Sequence, residues 1–393
     1  MPNLAEPRTN QNTMNALDLT KRLISFDTTS RGSNLALIDF AQEMLESAGA
    51  RCRRSYDTSG GKANLFASFG PGEDGGYVLS GHTDVVPVDG QDWSSDPFKP
   101  ETREDKLFGR GACDMKGFVG TALAMLPEIR SATLSRPLHF ALSYDEEVGC
   151  AGVRELLADL KTAHITPSLV IVGEPTLMRV VGAHKSGSIV HTHCHGREGH
   201  SSAPQKGANA VMMAGAFVHL LDEIGEELKA DSDPLFDPPY TTIEATMFDG
   251  GTAANILARD AHVTWGVRAL PGRDVRAIIA RAIARADEEI MPRYRARAAE
   301  AHFDSRIEAT YPALALNADS PAVALVRELT GANEVDTVAY GTEAGHFSEA
   351  GIPAVICGPG SIDQAHKADE FVALSELAAC ETFLRKVIAR ACA

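Results

Sequence analysis

Tyr77-Val-Leu-Ser80-Gly-His82-Thr-Asp84-Val-Val-Pro87 starts as a short apolar run, passes through glycine, and ends on a histidine and an aspartate two residues apart. So short and apolar a run reads as a strand buried on both faces. Its polar end then falls at the carboxyl edge of a sheet, where open α/β folds bind ligands. Outward from it, strand-like and helix-like segments alternate. Leu17–Ser25 and Leu35–Ala48 read as helices, and Asn64–Phe69 as a strand. Met115–Leu126 and Val153–Leu160 read as helices, Leu138–Ser143 and Leu169–Val172 as strands. The fold class is α/β, a mixed sheet flanked by helices.

The pattern changes near Ser186. Ser186–His195 reads as a long alternating strand. Ala208–Glu227 reads as a helix with Val211, Ala214, Val218 and Leu221 on one face. Two strands, Thr241–Phe248 and Ala261–Arg268, precede a helix over Asp274–Met291 with Ile278, Ala282 and Ile283 inward, and His302–Ala309 is a further strand. That order is βαββαβ, the ferredoxin-like unit. From Pro312 the earlier style returns, with a helix at Pro321–Thr330, a strand at Ala354–Cys357 and a helix at Leu374–Ala389. The expected organisation is a main domain of residues 1–185 and 312–393, with residues 186–311 inserted as a second domain. Met1–Thr13 reads as a loose polar tail.

At 393 residues the chain is too long for one ordinary domain. Its net charge of −16 argues against nucleic acid or an anionic membrane as partner. No stretch approaches the ~18–20 apolar residues of a membrane helix, and the N-terminus lacks a signal-peptide core. Seven scattered cysteines without a C-x-x-C pair read as free thiols, so the expected location is cytoplasmic.

Four more segments share the character of the first: Gly109-Arg-Gly-Ala-Cys-Asp114-Met-Lys-Gly117, Tyr144-Asp-Glu146-Glu147-Val-Gly149, Val172-Gly-Glu174-Pro-Thr176 and Gly358-Pro-Gly-Ser-Ile-Asp-Gln-Ala-His366-Lys367. An α/β sheet can bring their polar residues into one crevice. Four carboxylates packed together repel, so they hold protons or surround cations. Two histidines among them suit Zn²⁺ or a similar ion rather than Ca²⁺. Asp114, Glu147 and Glu174 as ligands set three negative charges against about +4 from two divalent ions. Glu146 is then left as an unligated carboxylate nearby, and Asp114 is the bridge between the ions.

In this order the five segments resemble the aminoacylase/carboxypeptidase family of dinuclear zinc amidohydrolases, from about Leu17 to Val387. The resemblance implies a zinc-peptidase-like catalytic domain, two divalent ions per subunit (Zn²⁺ or Co²⁺) and a small-molecule N-acyl amino acid as substrate. It implies that His82, Asp114 and Glu174 hold one ion, and Glu147, His366 and the bridging Asp114 the other. Asp84 would orient the His82 imidazole, and Glu146 would be the general base. The Asp114–Met115 peptide bond would be cis. The inserted domain resembles the family's lid and dimerisation domain, which implies a homodimer. His200, in Gly199-His200-Ser-Ser-Ala-Pro204, would enter the partner's active site and stabilise the oxyanion. Asn255 and Arg268 would grip the substrate carboxylate. Desuccinylase, aminoacylase and dipeptidase activities share the scaffold and stay open.

Other residues have plainer readings. Cys113 reads as a small buried filler and His346 as packing. Glu343 reads either as a carboxylate for a substrate ammonium or as an acid at a helix start. His191, His193 and His195 share one face of a strand but have no carboxylate motif beside them, which argues against a metal there. A non-catalytic binding protein on a degenerate copy of the fold would lack a ligand or the base, and every one is present here.

Overall fold

A computed structural model describes residues 14–317 and 319–393; the Met1–Thr13 tail lies outside them. An eight-stranded sheet runs in the order Arg51–Tyr56, Ala63–Phe69, Leu138–Ser143, Tyr77–His82, Leu169–Val172, Ala354–Ile356, Val181–His184, Asp336–Val338. Its centre is parallel: Tyr77–His82 pairs in parallel with Leu138–Ser143 and Leu169–Val172, and Leu169–Val172 with Ala354–Ile356. The outer pairs formed by Ala63–Phe69 are antiparallel. The sheet is therefore mixed.

Alternation explains why the central strands carry apolar residues on both faces. Leu65, Ala67, Leu79, Phe140, Leu142 and Ile171 point to one face. There they meet the helices Ala16–Ile24, Leu35–Ser47, Lys116–Ala124, Pro321–Thr330 and Leu374–Ala391. Phe66, Val78, Ala141, Val170 and Val172 point the other way, onto Val153, Leu156, Leu160 and Phe347. A strand covered on both faces admits few polar residues, and those only with a partner, as Ser68 with His139, so most polar groups collect where it ends.

The second sheet runs Thr242–Gly250, Asp260–Ala269, Ser186–His195, His302–Tyr311, every pair antiparallel. With helices Ala210–Leu228 and Val275–Arg285 this is the ferredoxin-like βαββαβ arrangement. Val190, Cys194, Val263, Trp265 and Val267 face the helices, and the buried Trp265 indole donates to Thr192 Oγ1 at 2.8 Å. The opposite face carries half-exposed His191, His193 and His195.

Three local expectations are corrected. The first helix of this unit buries Met213, Phe217, Leu220 and Ile224, while Val211 and Val218 are only partly covered. Ala214 and Leu221 are buried as expected, and the rest of the face is turned toward Met213 and Phe217. The second helix gives way after Arg285 to a π-turn over Ala286–Ile290 and a short helix at Met291–Arg295. In it Ile279, not Ile278, is buried. No helix among the described residues is long and apolar enough to cross a membrane.

Candidate metal centre

His82 is the last residue of the central strand. Glu146 and Glu147 lie in the turn after Leu138–Ser143, Glu174 just past Leu169–Val172, and His366 in the loop after Ala354–Ile356. Asp114 arrives from a separate loop ahead of the helix Lys116–Ala124. Parallel strands thus deliver four of the five segments to one edge. Glycine is required at 173 for a packing reason: a Cβ there would sit 2.0 Å from the Phe118 ring.

The side chains converge on Asp114. Its Oδ1 lies 3.0 Å from His82 Nε2, and its Oδ2 lies 3.3 Å from His366 Nε2. Glu174 Oε1 is 3.8 Å from His82 Nε2, and Glu147 Oε2 is 3.0 Å from His366 Nε2. Each imidazole therefore has its own second carboxylate, and Asp114 joins the two halves. Ligand atoms of His82, Asp114 and Glu147, and of His82, Glu146 and Glu174, also lie within 4.8 Å of one another. The Asp114–Met115 peptide is cis.

Electrostatics shows what this donor set wants. Loss of solvent holds Glu146 and Glu174 well above the usual carboxylate range and pushes Glu147 up to about 7; neighbouring acids add to it. Burial works against charge on His82, yet Asp114 and Glu174 carry it well above its ordinary value. Hydrogen bonds to Asp114 and Glu147 raise His366 to about 10. Burial raises the Asp114 carboxyl, but the two imidazoles outweigh it and hold it below its usual value. A cluster that takes up protons so readily is one that cations would stabilise. Two imidazoles and three carboxylates, split evenly about a shared aspartate, fit a pair of borderline divalent ions.

Asp84 does more than expected, and by another route. Its carboxylate accepts the backbone N–H groups of Glu146 (3.0 Å) and Glu147 (3.2 Å) and the Ser30 hydroxyl (2.8 Å). The imidazole Nδ1 of His82 meets the Asp84 main-chain carbonyl at 3.0 Å and the carboxylate only at 3.6 Å. Asp84 thus fixes the Glu146–Glu147 turn with its side chain and the His82 ring chiefly with its backbone.

Sequence reading passed over Glu370. Its Oε1 accepts the amides of Cys113 (2.8 Å) and Asp114 (3.0 Å), while Oε2 accepts Gly111 N (3.0 Å) and Arg110 Nη1 (2.7 Å). Glu370 and Arg110 are both fully buried. The Asp114 loop is therefore wrapped around a buried ion pair. Nothing in its sequence setting, an acid before Phe371, distinguishes it from a surface residue.

Asp114, Glu146, Glu147, Glu174 and His366 open onto a cavity of about 160 Å³. Its far wall comes from the small sheet: Ser188, Ile189, Arg268 and Tyr311. The Arg268 guanidinium lies 5.4 Å from the Tyr311 ring centre, and the Tyr311 hydroxyl is buried without a partner among the described residues. Tyr311 and Tyr340 had no sequence signal beyond being aromatic.

Other expected site residues lie elsewhere. His200 and Asn255 are exposed and do not line the cavity. They are neighbours instead, with Ser201 N donating to the Asn255 carbonyl at 2.9 Å. Glu343 is fully buried behind the cavity, bonded to Ser80 Oγ at 3.3 Å, with burial pushing it up to about 7. It does not line the cavity and stands at the N-cap of the helix Ala344–Glu349. Cys113 and His346 are buried, as expected.

Residues 78–390 match the model of peptidase family M20/M25/M40. The chain belongs to this family and is a hydrolase acting on amide bonds. It is 34% identical over 379 residues to an acetylornithine deacetylase of Myxococcus xanthus, covering 94% of this chain and 96% of the relative. It is 33% identical to an acetylornithine deacetylase of Proteus mirabilis, covering 95% and 94%. Among solved structures, an M20 family metallo-carboxypeptidase of Sulfolobus solfataricus superposes with a TM-score of 0.76 at 16% identity, covering 95% and 98%. A Bacillus subtilis protein described as a dinuclear metal-binding peptidase of the M20 family gives 0.64 at 14%, covering 95% and 97%.

Proposed function

We propose that this protein is an acetylornithine deacetylase: it hydrolyses N-acetyl-L-ornithine to L-ornithine and acetate, a step of arginine biosynthesis. The observation that carries the reading is the convergence of two histidines and two further carboxylates on Asp114, with Glu146 beside them. The relatives named above support the substrate. His82, Asp114 and Glu174 would hold one ion, and Asp114, Glu147 and His366 the other, zinc or cobalt in each. When bound, such a pair acidifies water and polarises the acyl carbonyl.

The chain supplies the rest. Glu146, whose carboxyl has a raised proton affinity, takes the proton of the attacking water and passes it to the departing amine. Arg268, on the opposite wall, holds the substrate α-carboxylate. Residues 1–185 and 312–393 form the catalytic domain, and residues 186–311 a lid that also dimerises. Support comes from the edge strand Thr242–Gly250, which exposes Met247 (66%) and Phe248 (49%), and from nearby exposed Met212 and Ile256. In the homodimer, His200 and Asn255 reach the partner's cavity, where His200 donates to the developing oxyanion. Free thiols at all seven cysteines suit a reducing cytoplasm.

The test is a substrate panel, with and without chelator: N-acetyl-L-ornithine, other N-acetyl amino acids, N-succinyl-L,L-diaminopimelate and dipeptides. N-acetyl-L-ornithine should give the highest kcat/KM, and chelation should abolish turnover. Preference for the succinyl compound or a dipeptide would reject the substrate while leaving the hydrolase intact.

A further inference from the structure

The open face of the small sheet carries a second cluster of histidines and acids. His193 and His195 follow each other on one side of the strand Ser186–His195, with ring centres 3.5 Å apart. Register places His262 of the next strand opposite His193, and His302 of the strand on the other side opposite His195. Their rings lie 4.3 Å and 4.4 Å from those partners. Four imidazoles from three strands thus form one row, which is unlike an incidental surface histidine.

A carboxylate completes it. Asp260 Oδ1 is 3.0 Å from His193 Nε2 and 3.6 Å from His195 Nδ1, and Asp260 Oδ2 is engaged by Arg259 at 2.8 Å. One donor atom from each of His193, His195 and Asp260 lies within 4.8 Å of the other two. The side chains of His193 and His195 are 30% and 32% exposed, so an ion can enter from solvent. The fold supplies the carboxylate that the sequence around these histidines lacks: Asp260 is remote in sequence but adjacent in the sheet.

We propose that His193, His195 and Asp260 form an accessory site for a borderline divalent cation of the Zn²⁺ type. Two nitrogens and one carboxylate oxygen suit that class, and solvent fills the remaining positions. The bound ion would clip strand Ser186–His195 to strand Asp260–Ala269. None of its ligands lines the catalytic cavity, so the site is structural and independent of the deacetylase reading.

The experiment titrates metal-stripped protein with Zn²⁺ in competition with a chromophoric chelator. The His193→Ala/His195→Ala variant should saturate one equivalent below the wild type, with unchanged hydrolase turnover. Asp260→Asn, a gentler change, should weaken the same equivalent. Saturation of the double variant and of Asp260→Asn at the wild-type number and affinity would overturn the proposal. Because the reading is a difference, it holds whatever number the catalytic centre binds. Glu147→Ala gives the complementary result, losing catalytic zinc and keeping the equivalent that the histidine variant lacks.

Discussion

The two histidine–carboxylate clusters use the same side chains on very different supports. At the edge of the large sheet the donors stand on loops, and buried carboxylates hold those loops by their backbone amides: Asp84 under Glu146 and Glu147, Glu370 under Asp114. On the small sheet the donors sit within the strands themselves, where Ser186–His195 ends and Asp260–Ala269 begins, and register alone brings them together. The first buries His82, Asp114, Glu147 and Glu174, leaves only the His366 ring open to solvent, and shifts proton affinities strongly; the second leaves its rings about a third exposed on an open face. Reactivity here comes from enclosure and from groups behind the donors, not from the ligand types.

The sharpest way to break that contrast is at Glu146. Glu146→Gln should cut kcat by about 10²–10⁴-fold, with metal content unchanged by elemental analysis. Loss of the ions as well would make Glu146 a ligand and erase its distinct role. Next comes the backing. Glu370→Gln leaves Arg110 buried without its charge partner and should cost about 3–5 kcal/mol in urea denaturation. A stability near wild type would mean the Asp114 loop does not depend on that pair. Asp84→Asn keeps one acceptor for the two amides and the serine, and should lower turnover by about 10–100-fold. Equal loss in a variant of the small-sheet face, such as His191→Ala, would blur the distinction.

A separate effect concerns acid. Burial lowers His139, inside the large sheet, to about 4 from its ordinary 6.5. Between those values the unfolded chain binds a proton that the native state refuses. Stability should therefore be full above pH 6.5 and fall as pH drops toward 4, by about 1.4 kcal/mol per unit for such a group. Denaturation across that range should show a shallower slope in His139→Gln; an unchanged slope would contradict the assignment. His184 and His346, lowered to about 4 by burial, add to the wild-type slope.

Local pattern carried much of this molecule. Tyr77–Ser80, Leu138–Ser143 and Leu169–Val172 read as buried strands because covered faces select mostly apolar residues, and their polar ends flagged the metal cluster. Residues whose role depends on distant partners were not legible. Glu370 acts through amides more than 250 positions earlier, and Asp260 meets His193 only through strand register. Tyr311 reaches the cavity because two sheets face each other across it. Helix faces slipped by a residue where Met213 and Phe217, rather than the β-branched Val211 and Val218, filled the core.

Whether Asp114 joins two cations is decided by anomalous scattering from zinc-grown crystals. Two peaks should flank Asp114, one within reach of His82 and Glu174, the other of Glu147 and His366. A single peak, or peaks that leave Asp114 without a metal contact, would contradict it.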